Sequence, residues 1–410
     1  MKSRFILLIL TVLFALFGLN SREAASSGSI FSGLGYGVLE NFSSSRAVGM
    51  GNAGLALPDS STLNFSNPAL LLDLRRTRIS VGGFLARHDM RDHNADDLDD
   101  WGQVEYFGIG FPLKNGLVIA GFFSPFSRVD FQYGWSGELG GVPYFESYQG
   151  TGGISRAALN LAWAVHPRFR VGGSAYFLWG EVNEVRGSYF EASGYLDAEF
   201  VTTKQWRAFS GAFGIRWQPA QDLTVGFFYQ PENPIHLDQS FSYTNEDSTI
   251  ATEKEYRLPM QLGLGFSYRI APRWLSSVAA HYASWADLEA ADLPAGPSGY
   301  RNAYALGGGL EWEPGSWNAD HFFRRLSYRV GAGWASDYVL SENSVLHAYS
   351  LTLGWSYPFH EARDRFDFSI EITQRGNLSE NGGQELIYKL RLGLNFGETW
   401  FQRSKPPWLE

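Results

Sequence analysis

Down most of its length this chain alternates apolar and polar residues one for one, and that period admits little besides strands with two unlike faces. In "RFDFSIEIT", Phe366, Phe368, Ile370 and Ile372 alternate with Asp367, Ser369, Glu371 and Thr373. In "YKLRLGLNF", Tyr388, Leu390, Leu392, Leu394 and Phe396 alternate with Lys389, Arg391, Gly393 and Asn395. The pattern recurs in 14 segments, starting near Thr77, Gln103, Gly116, Ile154, Phe169, Thr203, Asp222, Leu258, Trp274, Ala303, Arg325, Val345, Arg365 and Glu385. Each is long enough to cross a bilayer as a tilted strand of roughly 9–11 residues.

The two faces decide between membrane and water. One carries rings and aliphatics. The other carries Asp367, Glu371, Lys389, Arg391, Arg325, Arg329 and Arg269, interleaved with Gly263, Gly265, Gly307, Gly309, Gly331 and Gly333. A soluble barrel, propeller or solenoid would turn its apolar face inward, so the reading is an all-β, 14-stranded antiparallel transmembrane β-barrel with the charged face toward the lumen. The connections agree. Long polar stretches such as "RHDMRDHNADDLDD", "RVDFQYGWSGELGGVPYFESYQGTG" and "PENPIHLDQSFSYTNEDSTIATEKEY" follow odd-numbered strands. Mostly short turns such as "PLKNG", "HPR", "QPAQ" and "APR" follow even ones, although "EPGSWNADHF" after the tenth is longer. Long loops on one side only are how outer-membrane barrels of Gram-negative-type bacteria are built.

Composition supplies exclusions. With no cysteine there is no disulfide, thiolate nucleophile or Cys-based metal site. A net charge of −9 disfavours nucleic acid as a partner. Lys2 and Arg4 precede the apolar run "FILLILTVLFALFGL" and a small polar stretch, the layout of a secretory signal peptide. A retained anchor is the alternative, but the run is shorter than the roughly 20 residues of a spanning helix. The expected organisation is a signal peptide over residues 1–25, an N-terminal plug over 26–75 and the barrel over 76–403.

Within the plug, GMGNAG (Gly49 to Gly54) satisfies the G-x-G-x-x-G pattern of a dinucleotide-binding turn. That fingerprint must follow a buried strand and open a long helix. Here polar "ENFSSSRA" precedes it and Pro58 stops any helix, so no nucleotide or other cofactor is expected. Gly49, Gly51 and Gly54 suit close backbone packing against a barrel wall, or positive φ. In "SNPALLLDL", Asn67 can cap a short helix with Pro68 at its first position and Ala69 next. Physics alone leaves open whether that is merely a helix start.

These residues carry a resemblance. The run Gly49 to Gly54, the following "ALPDSSTLNFSNPALL" and the tripeptide Asn67–Pro68–Ala69 resemble the hatch of the FadL-type outer-membrane transporters of long-chain fatty acids and other hydrophobic compounds. The C-terminal "FSIEITQRGNLSENGGQELIYKLRLGLNFGETWFQR" is similar to the closing hairpin of that superfamily. The resemblance implies a barrel closed by a luminal hatch, and a substrate that is caught outside, held in an interior pocket and released sideways where the third strand kinks. Pro125, in "GLVIAGFFSPFSRVDF", is the candidate kink, because proline cannot donate to the ladder. The alternative is that Pro125 simply ends its strand.

No catalytic residue and no metal site is expected. His88, His93 and Asp89, Asp92, Asp96, Asp97, Asp99 and Asp100 crowd the first long loop but have no fixed ligand spacing. The eight histidines are scattered and show no local signature of a hydrolase. Asp367 and Glu371 facing Lys389 and Arg391 read as a luminal row of cross-strand ion pairs. The expected function is passive uptake of small hydrophobic compounds such as long-chain fatty acids, with lipid and a hydrophobic ligand as partners. The alternative is a partner-binding or structural barrel, such as a secretion-system component, whose protein partner meets the long outer loops.

Overall fold

The computed structural model describes residues 28–398, apart from 41–42, 191–193, 244–245, 295–297 and 361–363. The leader, residues 1–25, and the stretch 399–403 lie outside the described residues. The barrel strands are β1 (Thr77–Asp92), β2 (Asp96–Pro112), β3 (Leu117–Leu139), β4 (Val142–His166), β5 (Phe169–Phe190) and β6 (Ala198–Ala220). Strand β7 has two parts (Leu223–Gln230 and Asn233–Tyr243), as has β8 (Glu246–Leu258 and Gln261–Ala271). Then come β9 (Trp274–Ala283), β10 (Ala303–Trp312), β11 (Ser327–Ser341), β12 (Ser344–Phe359), β13 (Asp364–Asn377) and β14 (Gly383–Glu398).

Each strand pairs antiparallel with the next, and β14 returns to β1 with Gly383 opposite Asp92 and Glu398 opposite Thr77. That last pairing closes the sheet, so no edge is left at the seam. Leu159, Leu161, Phe209, Phe213, Leu351 and Leu353 point outward and are exposed, as lipid-facing residues must be. Their neighbours in sequence, Ala158, Asn160, Ala208, Ala212 and Thr352, point inward and are buried. Among the described residues no helix is long and apolar enough to cross a membrane.

The polar stretches that read as long loops are mostly ladder. Strand β2 begins at Asp96 rather than Gln103, β4 at Val142 rather than Ile154, and β8 at Glu246 rather than Leu258. The β3–β4 hairpin, with strands of 23 and 25 residues, closes on Gly140 and Gly141 at φ 60° and 87°, a two-residue turn that needs positive φ at both positions. Beyond the bilayer both faces of a strand meet water, so the apolar–polar alternation fades while the backbone still has to pair. Arg325 is also corrected: it falls on a short helical turn, Phe322–Arg325, and not on a luminal strand face.

The lumen is filled from the N-terminal side. Residues 44–57 are almost wholly buried inside the barrel, with Ala47, Met50, Ala53, Leu55 and Ala56 fully enclosed. Leu63, Phe65, Leu71 and Leu74 pack with Val118, Ala120 and Phe122 of β3. Higher in the lumen, Tyr36 sits among Trp206, Trp285 and Tyr338, with Trp285 turned in from the chain that follows β9.

Candidate functional site at a break in the barrel wall

The ladder between β2 and β3 is short. It runs only from Phe107–Phe123 to Pro112–Val118, although β2 continues on β1 and β3 continues on β4 far beyond that point. Above the outward-facing pair Phe107 and Phe123, the wall is therefore split. Both bordering strands are irregular at that height. Strand β2 slips register where Gly82 and Gly83 of β1 face Tyr106 and Val104, leaving Glu105 as an extra residue. Strand β3 slips between Pro125 and Ser127, leaving Phe126 as the extra residue, turned inward and buried.

Pro125 thus lies within a continuing strand, at a bulge, and does not end it. Its missing N–H suits such a site. The bend is propagated by glycines on the next two strands. Gly152 and Gly153 of β4 have φ of 130° and 152°, and a Cβ there or on Gly180 of β5 would run into the backbone of the neighbouring strand. From inside, the two-residue strand Val38–Leu39 pairs with Arg128 and Ser127, and the Glu40 amide donates to the Phe126 carbonyl at 2.9 Å. The N-terminal segment therefore occupies part of the edge that β2 leaves bare.

On the opposite wall the glycine motif lies backbone to backbone on the barrel. Gly49 and Met50 meet Gly354 and Gly309, and Gly51, at φ 68°, lies where a Cβ would come within 2.6 Å of the Gly308 carbonyl oxygen. Its amide also donates to Thr352 Oγ1 at 3.2 Å. Gly54 packs instead against Ser66 of the same segment. Asn67 is fully buried and does more than cap. Its Oδ1 accepts from the Ala69 amide at 3.1 Å, while Nδ2 donates to the carbonyls of Leu55, Ile215 and Phe227 at 3.0–3.3 Å. Pro68 and Ala69 fit against Gly172 and Gly214, where no side chain intervenes.

Under the glycine motif lies a buried network of three arginines and three carboxylates. Arg46 grips Glu311 with Nε at 2.9 Å and Nη2 at 2.5 Å, and reaches Asp59 at 3.0 Å. Arg329 meets Glu311 at 2.5 Å and Asp367 at 3.7 Å, and Arg365 meets Asp59 at 2.6 Å and Asp367 at 3.1 Å. Burial pushes the Asp59 carboxyl up, but Arg365 and Arg46 outweigh it and hold the group well below the usual carboxylate range. Three positive and three negative groups leave the cluster neutral, so its burial is tolerable only while complete.

The row expected from the sequence is arranged differently from a simple rung. Glu371 stands opposite Lys389, but its ion pair is with Arg391 at 2.5 Å, and Arg391 also holds the bulged Glu105 at 3.1 Å. Asp367 belongs to the Arg329–Arg365 network instead. Lys389 pairs with neither carboxylate. Among the described residues no group of His, Asp and Glu is arranged to hold a metal ion.

Residues 1–406 match the model of the BamG family. The chain belongs to that family. No curated protein matches it. Solved structures share the fold of this BamG-family chain. A Pseudomonas aeruginosa FadL homologue is similar at TM-score 0.62 and 11% identity, over 88% of this chain and 99% of that one. The Ralstonia pickettii toluene transporter TbuX gives 0.59 and 16%, over 88% and 99%, and the Pseudomonas putida toluene transporter TodX 0.58 and 14%, over 87% and 98%. The fold is FadL-type.

Sequence reasoning named Pro125 and the glycine motif but missed Arg46, Asp59, Glu311 and Arg365. The one available signal was inward-facing charge on alternating strands, which picked out Arg329 and Asp367 without their partners. Nor did it find the split between β2 and β3, whose only local mark is an irregular alternation around Glu105.

Proposed function

We propose that this protein is an outer-membrane channel for passive uptake of small hydrophobic compounds, long-chain fatty acids among them. Residues 1–25 serve as its secretory leader. The observation that carries this reading is the β2–β3 ladder that stops at Phe107 and Phe123 while both strands continue. A wall split at that height gives an apolar solute a sideways path between lumen and lipid. Residues 26–75 act as the hatch, since the described part of them, residues 44–57 above all, is buried in the lumen and would block a vertical path for water-soluble solutes. The named transporters of the same fold, two of them for toluene, support the same class of cargo. Downhill passage of an apolar solute needs no nucleotide or cofactor.

A second reading, a barrel that binds a partner, draws on a different observation. Residues 44–57 are packed within the lumen and almost wholly buried. One interior cavity, bounded by Leu39, Trp285, Tyr338, His281 and Arg375, measures about 150 Å³. The tall β3–β4 hairpin meanwhile exposes Trp135, Leu139 and Phe145 to the outside.

Uptake of radiolabelled oleate and toluene by intact cells, with and without the protein, tests between them. Saturable uptake that depends on the protein supports the channel. Uptake at the background rate for both compounds would contradict it and favour the partner-binding barrel.

A further inference from the structure

The connection after β10 is the long one among the even-numbered turns, and neither the ladder nor the N-terminal segment makes use of it. It runs from Glu313 to Leu326 and is built rather than loose. The Glu313 amide donates to the Arg273 carbonyl at 3.0 Å, Arg325 Nε to the Ala319 carbonyl at 2.6 Å, and the Tyr328 hydroxyl to the Phe323 carbonyl at 3.0 Å. Its helical turn, Phe322–Arg325, nevertheless holds two rings outside: Phe322 is 53% exposed and Phe323 72%.

The strands beside it show what those rings meet. Trp274, Trp312, Tyr328, Trp355 and Phe368 stand directly opposite one another across β9 to β13, on the outward face at the end nearest this connection. Ring centroids are 5.9 Å apart for Trp274–Trp312, 5.8 Å for Trp312–Tyr328 and 5.5 Å for Trp355–Phe368. Such a girdle marks where hydrocarbon gives way to head groups. Two residues further out, Tyr357 and Phe366 form a second outward pair. The Phe322 ring lies 5.4 Å from Tyr357, and Phe323 lies 5.6 Å from Phe322.

The level of these rings decides between lipid and open periplasm. Two residues advance a strand by about 6.7 Å, or about 5 Å along the membrane normal at a tilt of about 40°. The head-group layer is about 5–7 Å thick on each side of the hydrocarbon core. The second pair, and the rings packed on it, therefore sit inside that layer. Arg324, next in the chain, is exposed and makes no ion pair among the described residues, and a lipid phosphate at this level would be its counter-ion.

We propose that this connection is a membrane-interface element. Its Phe322–Phe323 tip is immersed in the head-group layer of the periplasmic leaflet, and Arg324 meets the phosphates of glycerophospholipids. The same strands turn Glu311 and Arg329 inward, one residue from Trp312 and Tyr328. The wall that grips Arg46 is thereby also held from the lipid side.

The chain has no cysteine, so a nitroxide can be placed at one site at a time. Phe323→Cys is labelled in the full mature chain, reconstituted in bilayers of phosphatidylethanolamine and phosphatidylglycerol. Leu353→Cys, outward on β12, is the hydrocarbon standard, and Gln221→Cys, in the exposed turn after β6, the aqueous one. Power saturation reads collision with oxygen, which enters lipid, and with a neutral nickel chelate, which stays in water. For Phe323→Cys, nickel collision should fall about threefold below Gln221→Cys while oxygen collision stays at least as high, as for a site about 5 Å into the interface. Phe322→Cys serves in the same way if Phe323→Cys does not show the heat-modifiable migration of a folded barrel. Nickel collision equal to that of Gln221→Cys would place the rings in open water and overturn the inference. Loss of collision with both reagents would mean packing against a second copy of the chain, and would overturn it too.

Discussion

The wall made by β10 to β12 and the wall made by β2 to β5 meet the same N-terminal segment in opposite ways. On the first, Gly309, Gly331 and Gly354 bring strand backbone against the backbone of Gly49, Met50 and Gly51, and a complete charge network locks Arg46 beneath. On the second, side chains such as Leu63 and Phe65 pack on β2 and β3 where these strands pair, but at the break itself the contact is a two-residue strand, Val38–Leu39, laid on a bent and partly unpaired β3. One side fixes the segment and the other leaves the wall divisible. The sideways path proposed above therefore belongs to the second side, and the anchoring of the segment to the first.

The largest effect should come from breaking the fixed side. Glu311→Gln leaves Arg46 and Arg329 buried beside a neutral group, which should cost about 3–5 kcal/mol of stability, the usual penalty for an unpartnered buried charge. Thermal unfolding followed by heat-modifiable migration reads the loss, and limited trypsin digestion should release the N-terminal segment. A stable, protease-resistant variant would show that the segment is not anchored there. Gly51→Val comes next. Its positive φ and the nearby Gly308 carbonyl should cost about 2–3 kcal/mol in the same assay.

The sequence showed much of the first side and little of the second. Alternation placed all the strands, because a membrane forces every crossing residue to choose lipid or lumen. GMGNAG marked a close approach, because only glycine lets two backbones meet there. The buried network stayed hidden because Arg46 and Asp59 of the N-terminal segment meet Glu311 and Arg365 of distant strands only when the barrel closes around them. The split stayed hidden for a related reason. It is a property of register between two strands, and neither Glu105 nor Pro125 alone specifies where pairing stops. The strand tops were misread as loops because outside the bilayer no apolar face is needed.

Smaller effects sharpen the contrast. Asn67→Ala removes three donor contacts and a cap, but the neighbouring Pro68 and Ala69 remain packed on Gly172 and Gly214. A loss of about 1–2 kcal/mol is expected in the thermal assay. Pro125→Ala should change stability by less than about 1 kcal/mol, because the bulge is also built by Gly152, Gly153 and Gly180. If Pro125→Ala instead lowered stability as much as Gly51→Val, the broken wall would depend on this one proline, and the contrast between the two sides would be lost.

The most direct measurement uses the absence of cysteine from the chain. Trp101→Cys and Arg128→Cys together place thiols on the two side chains that meet across the split, and a short bis-methanethiosulfonate, which forms a reducible disulfide to each thiol with loss of methanesulfinate, can then join β2 to β3. Uptake of labelled dodecanol by intact cells is compared for the same double variant with and without the cross-link, so any effect of the substitutions themselves cancels. If the split is the route, cross-linking brings uptake to the background rate, and cleaving the link restores it. Undiminished uptake through the joined wall would contradict a sideways path.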